Sequence, residues 1–185
     1  QVFTDLLGKW NPHINLVSRN SLADVWERHI ADSIHVFRVA PVVNHWVDLG
    51  SGGGFPGMVV AILAMDEAPD IKTTLVESDQ RKATFLRTAA RETGAPCTVI
   101  SDRSEAVPPQ EADVLSARAL ADLSDLLHHA ERHLASGGTA LFPKGVTWQK
   151  EVDAAQRQWR FEVEAINSLT KPGAAILKIT GVSRV

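Results

Sequence analysis

Apolar residues in the first forty positions recur at helical spacing. Val2, Phe3, Leu6, Leu7 and Trp10 predict a short amphipathic helix that stops near Asn11-Pro12. Ser21 and Asp24 resemble a capping box, and Leu22, Val25, Trp26, Ile30, Ile34 and Phe37 continue as a second helix that Pro41 closes.

From residue 45 the pattern changes to short apolar runs alternating with helical stretches. The runs His45–Leu49, Thr73–Glu77, Thr98–Ser101, Val114–Ala117 and Thr139–Phe142 read as strands. Helices are expected near 57–65, 79–93, 122–134 and 147–158. Two further runs, Phe161–Ile166 and Ala175–Thr180, sit too close for a crossover helix and predict an antiparallel hairpin around Lys171-Pro172-Gly173. Alternation of this kind makes right-handed parallel crossovers, hence an α/β fold with helices on both faces of an open sheet. Residues 1–40 read as a helical extension and 41–185 as the sheet-bearing domain.

Composition narrows the function classes. The 185 residues suit one domain, with ordinary proportions of hydrophobic (44%) and charged (22%) residues. Nineteen basic against 22 acidic residues give a net charge of −3, which excludes a polybasic nucleic-acid binder but not a local positive patch. Cys97 is the single cysteine, so neither a disulfide framework nor a cysteine-based zinc site is available. No bilayer-length apolar run and no signal-peptide pattern occur, so a soluble, cytoplasmic setting is expected. Beginning at Gln1, the chain is expected to lack a few N-terminal residues.

The densest chemical signal is Val47-Asp48-Leu49-Gly50-Ser51-Gly52-Gly53-Gly54-Phe55-Pro56-Gly57, between the first strand and the next helix. Glycines there let the backbone turn sharply and approach a ligand at the carboxyl end of the strand. A dinucleotide fingerprint is present literally from Gly52 to Gly57, but it starts two residues late and contains Pro56. A Walker A loop fails for want of Gly-Lys-Ser/Thr. The third reading, Asp-x-Gly-x-Gly-x-Gly, suits a sulfonium cofactor with an ammonium group and no pyrophosphate. It makes Asp48, Gly50, Ser51, Gly52 and Gly54 cofactor residues. A turn that binds nothing is the remaining alternative. Glu77, 27 positions after Gly50, closes the second strand and can accept both hydroxyls of an adenosine ribose.

These residues bear a family resemblance. Gly50–Gly57 resembles the cofactor loop of the glucose-inhibited division protein B family, the 16S rRNA guanine-N7 methyltransferases. Trp10-Asn11, Asn15-Leu16, Arg28–Ser33, Glu77-Ser78, Arg81-Lys82, Phe85-Leu86, Arg103–Glu105, Ser116–Ala119 and Lys144-Gly145 extend the likeness in order from residue 10 to 145. Arg81-Lys82 reverses the family's usual Lys-Arg order.

The resemblance implies a Rossmann-like, seven-stranded class I methyltransferase sheet, mostly parallel, behind an N-terminal helical extension. It implies S-adenosylmethionine as methyl donor and a guanine in the decoding-region loop of 16S rRNA, or of the small ribosomal subunit, as acceptor. Cofactor contacts carry over to Gly50, Phe55, Ser104, Glu105 and Arg118.

Guanine N7 has an in-plane lone pair and no proton, so its methylation needs positioning but no general base; no catalytic base and no metal are expected. Phosphate contacts are expected from Arg19, Arg28, Arg81, Lys82, Arg87 and Lys144, with His29 a further RNA-facing candidate. His29 and Asp32, one turn apart, either orient each other or contact RNA, or else form a hydrogen-bonded pair that docks the N-terminal helix onto the sheet. His129 and His133 lack the rest of a zinc motif and read as a solvated helix face, Cys97 as inert core. Trp10, Trp26 and Trp46 read as packing residues. A single chain is the default state. The competing functions are a methyltransferase of another substrate, a nicotinamide-dependent oxidoreductase, and a non-catalytic ribosome-assembly factor.

Overall fold

The computed structural model describes all 185 residues, Gln1 to Val185. Helix α1 (Val2–Ile14) and the short α2 (Arg19–Ala23) lead into a π-helical turn, Trp26–Ile30, and then α3 (Ala31–Val39). The sheet elements follow as β1 (His45–Leu49), α4 (Gly57–Glu67), β2 (Lys72–Val76), α5 (Gln80–Thr93), β3 (Cys97–Ile100) and β4 (Ala112–Ala117). The chain ends with α6 (Leu123–His133), β5 (Leu134–Lys144), α7 (Trp148–Ala155), β6 (Trp159–Asn167) and β7 (Ala175–Arg184). The seven strands stand in the order β3-β2-β1-β4-β5-β7-β6. β1 to β5 pair in parallel, and β7 inserts antiparallel between β5 and β6. No helix is long and apolar enough to cross a membrane.

Local chemistry sets most boundaries. Asp79 caps α5 by accepting hydrogen bonds from the Arg81 and Lys82 amides, and Gly94 ends it in the left-handed region at φ 76°. Asp122 caps α6 through the Asp125 amide. Three expectations need correction in the extension. Helix α1 passes through Pro12 and ends at Asn15, where buried Asn11 accepts the Val17 amide and fixes the turn. The N-cap of α2 is Ser18, accepting from the Ser21 amide, so Ser21 lies inside the helix. The expected single second helix is three segments, and the wide π turn shifts its phase. Trp26 is accordingly 52% exposed, while its neighbours Val25 and Ile30 are buried.

Period-two alternation divides the strands between the two faces of the sheet, where three buried clusters form. Val47 and Leu49 of β1 join Leu115 and Ala117 of β4 and Leu123, Leu126 and Leu127 of α6. On the opposite face, Phe3, Leu7 and Ile30 of the extension share a cluster with Phe55, Met58, Leu75, Phe85 and Leu86. His129 and His133 are buried, contrary to the solvated-face expectation; the His133 Nε2 lies 2.9 Å from the Ser104 carbonyl.

Asp48 and Ser116 face each other in register across β1 and β4, both fully buried. The Trp46 indole N–H donates to Ser116 Oγ at 2.9 Å, and that hydroxyl donates to Asp48 Oδ1 at 2.6 Å. The other Asp48 oxygen accepts the Gly57 amide at the start of α4. Ser116→Ala leaves both the indole and the carboxylate without this partner. It should destabilise the fold by about 3 kcal/mol, read from the midpoint of chemical denaturation; a loss below about 1 kcal/mol would contradict a linked network.

Candidate active site

The glycine loop leaves β1 over the Asp48 carboxylate. Burial raises Asp48 to about 6, opposed by hydrogen bonds from Ser116 and the Gly57 amide and by the charge of Arg118. A Cβ on Gly57 would lie 2.6 Å from Asp48 Oδ2, so the helix start approaches the strand as only glycine permits. Gly50, at φ 63°, would set a Cβ 2.7 Å from Leu120 Cδ1. Asp48 is thus the support of the loop, enclosed beneath it and not facing a ligand. Ser51 is also buried, its hydroxyl donating to the Asp48 carbonyl.

Above the loop lies a cavity of about 280 Å³, walled by Gly50, Val76, Ser78, Arg103, Ser104, Glu105 and Leu120, with His129 beside Glu105. It opens at the carboxyl ends of β1, β2 and β3, the position at which an open parallel sheet receives nucleotide-like ligands. The buried carboxylate of Glu77, between the wall residues Val76 and Ser78, accepts the Gly52 amide at 2.7 Å and the Asp79 amide at 2.8 Å. Each oxygen retains acceptor capacity for a hydroxyl. Glu77 thereby ties the loop to the cap of α5, a role that the spacing alone did not suggest. His129 was missed as a wall residue. Its signal was the i, i+3/i+4 spacing of Leu126, His129, Ala130 and His133, which puts both histidines on the apolar stripe.

A second cavity of about 290 Å³ lies across residues 118–120, at the ends of β4 and β5. Arg118 and Ala119 line it, whereas Leu120 lines the first cavity. Ala119 between them takes φ 53°, a conformation sparsely used by residues with a Cβ. The two cavities share this single turn of chain as their partition.

Phe55 and Arg118 meet at that partition. The Arg118 guanidinium lies 5.1 Å from the centre of the Phe55 ring, and the His29 imidazole stacks on the same ring at 5.0 Å. Arg118 donates to His29 Nδ1 at 2.9 Å, so the imidazole is neutral and carries its proton on Nε2. Burial lowers His29 to about 4, helped by the charges of Arg118 and Arg28. His29 therefore turns inward as a support of Arg118, against the RNA-facing expectation. The π turn that carries it is a helix irregularity often found at functional sites. Asp32 does not pair with His29; it accepts a hydrogen bond from the Thr170 hydroxyl on the β6–β7 connection.

The remaining cations divide by accessibility. Arg19 is exposed. Arg28 and Arg81 are exposed beside Asp24 and Asp79, and Arg87 donates weakly to the Val99 carbonyl. Lys82 is half-buried on the first turn of α5. Lys144 is not free for phosphate. Its ammonium donates to the Ala121 carbonyl and to Glu151, both at 2.8 Å, with its side chain only 10% exposed.

His29 makes an acid-sensitive joint. Between pH about 6.5 and about 4, the unfolded chain binds a proton here that the native protein refuses, so stability falls as pH falls through this window. NMR titration should find the imidazole neutral down to about pH 5, and His29→Phe should flatten the acid limb of the stability profile. A midpoint near 6.5 would contradict the bond to Arg118.

Comparison with known proteins agrees with this geometry. The family described as rRNA small subunit methyltransferase G (GidB) matches residues 1–177. A Ruegeria pomeroyi protein named ribosomal RNA small subunit methyltransferase G is 62% identical over 185 residues, covering 100% of this chain and 91% of its own. A Cereibacter sphaeroides protein of the same name is 50% identical, covering 99% and 89%. Among solved structures, a SAM-dependent O-methyltransferase from Thermotoga maritima superposes with TM-score 0.66 at 18% identity, over 83% of this chain and 66% of its own. A SAM-dependent methyltransferase from Aquifex aeolicus gives 0.65 at 10%, over 95% and 97%. At such identities the structures establish the methyltransferase sheet, and the sequence matches establish the lineage. The chain belongs to the rRNA small subunit methyltransferase G family.

Proposed function

We propose that this chain transfers the methyl group of S-adenosylmethionine to N7 of a guanine in the decoding-region loop of 16S rRNA, as a single cytoplasmic chain and without a metal. What carries the reading is the family match across residues 1–177. It also favours a methyl donor over a nicotinamide for the loop that contains Gly52–Gly57.

The first cavity suits the cofactor. Gly50 leaves room at the strand end, Ser104 and Glu105 offer polar groups after β3, and Glu77 supplies a carboxylate at the rim for ribose hydroxyls. Gly52 and Gly54 let the loop follow a left-handed path there, at φ 52° and 92°. When bound, S-adenosylmethionine supplies an electrophilic methyl group. Arg118 lines the neighbouring cavity and would orient the acceptor, with the buried Phe55 ring under its guanidinium; neither residue borders the first cavity, although the resemblance implies cofactor contacts for both.

The surrounding side chains are arranged for positioning. Burial lowers the Arg118 pKa, opposed by the charges of Asp32 and Asp48, and a guanidinium still remains a cation. The His29 nitrogen that could accept a proton is taken by Arg118, and Asp48 is sealed under the loop. Such a set fits an acceptor nitrogen that brings its own lone pair, with rate gained from proximity and orientation. Arg19, Arg28, Arg81, Lys82 and Arg87 remain the exposed or half-exposed candidates for RNA phosphates.

Methyl transfer to small subunits and to naked rRNA from cells lacking this protein, followed by mass mapping of the modified nucleotide, tests the reading. 7-Methylguanosine at one site is expected. No label on either substrate would overturn it in favour of another acceptor or an assembly role. Glu77→Ala should weaken S-adenosylhomocysteine binding at least about tenfold while leaving rRNA affinity within about twofold; equal loss of both would contradict the ribose role.

A further inference from the structure

We infer that the second cavity is a guanine-reading pocket in which Asp32, from the N-terminal extension, accepts the N1–H and 2-amino donors of the acceptor base. The inference rests on the proposed rRNA guanine-N7 reaction and adds the group that selects the base.

The observations are the pocket's walls and its charges. At about 290 Å³ it lies at the small end of ligand-sized pockets, which start at roughly 300 Å³. Pro143 and the run Ala174–Ile176 offer apolar surface for a flat ring. Asp32 is the only carboxylate in the wall; the other formal charges are Arg118, Lys144 and Lys171. Lys144 is already spent on Glu151, whereas Lys171 is exposed on the β6–β7 connection, with no acidic partner, where it can meet a phosphate. One Asp32 oxygen accepts the Thr170 hydroxyl, and the other accepts no hydrogen bond from the protein.

A carboxylate in a cationic pocket selects for a base that presents donors. Of the four RNA bases, guanine alone carries two adjacent donors on its pairing edge, and a carboxylate can accept both. That edge and N7 lie at opposite ends of the purine. Holding the pairing edge at Asp32 therefore directs N7 away from α3, and the partition formed by Arg118, Ala119 and Leu120 is the boundary with the cofactor cavity. To enter, the nucleotide must leave its stack, as in other enzymes that modify bases. The extension thus supplies a specificity-determining carboxylate from α3 in addition to supporting Arg118.

The test measures kcat/KM for methylation of small subunits from cells lacking the enzyme, together with S-adenosylhomocysteine affinity. Wild type is compared with Asp32→Ala, Asp32→Asn and Thr170→Val. Both Asp32 variants should lose about 30-fold in kcat/KM while cofactor affinity stays within about threefold, and Thr170→Val should stay within about threefold in both. Subunits reconstituted with inosine at the target retain N7 but lack the 2-amino group. They should cost the wild type about tenfold and cost Asp32→Ala nothing further. An equal loss in Thr170→Val would make Asp32 a docking contact and overturn the assignment. So would full activity in Asp32→Ala, or the same inosine penalty in both enzymes. A wild type that leaves guanine N7 unmethylated overturns the underlying reaction instead, and is recognised before any variant is compared.

Discussion

The site depends on one buried charge. Asp48 holds Gly57 at the mouth of α4 with one oxygen and Ser116 of β4 with the other, and Ser116 in turn receives the Trp46 indole. A carboxylate in this position is costly to leave unpaired, so the start of α4 and the joint between β1 and β4 are specified together. The helix N-terminus adds a favourable dipole toward the acid. The glycine loop is consequently a fixed rim spanning these two attachments, and the first cavity opens beside its Gly50.

The N-terminal extension is part of the chemistry. Its apolar residues share a core with α4 and α5, which orients the π turn over Phe55. One ring of the loop then carries both His29 and Arg118, and Asp32 one turn further on reaches Thr170 at the far end of the sheet. On the proposed reading, acceptor recognition is thereby separated from cofactor binding. The sheet's βα loops form the first cavity, while the extension and the C-terminal hairpin add walls to the second.

Much of this was legible in the sequence because it is locally encoded. Strand β1 begins and ends where its alternation says, and Gly50 of the glycine loop and the Ser104-Glu105 pair line one cavity, with Glu77 bonded to the loop through the Gly52 amide. The C-terminal hairpin also follows from a short polar interval between two apolar runs. What escaped reading depends on contacts made across the fold. The π turn inserts extra arc into a helix, so a strict 3.6 period puts Trp26 inside and gives no reason to turn His29 onto Phe55. Lys144 looks like a rim cation until the tertiary fold brings Ala121 and Glu151 to its ammonium. Asp48 illustrates a subtler limit. Its position before the glycines reads as a cofactor contact, whereas the carboxylate is enclosed beneath the loop, and spacing alone cannot tell a ligand contact from such a support.

The insertion of β7 between β5 and β6 has a consequence for the order in which the protein becomes competent. Every named wall of the first cavity is encoded by residue 129, whereas the second needs Ser168, Lys171 and Ala174–Ile176. A ribosome making this chain has therefore specified the first cavity long before the second. On the proposed reading, the surface that would engage another ribosome's RNA is completed only with β7 and the turn that leads into it.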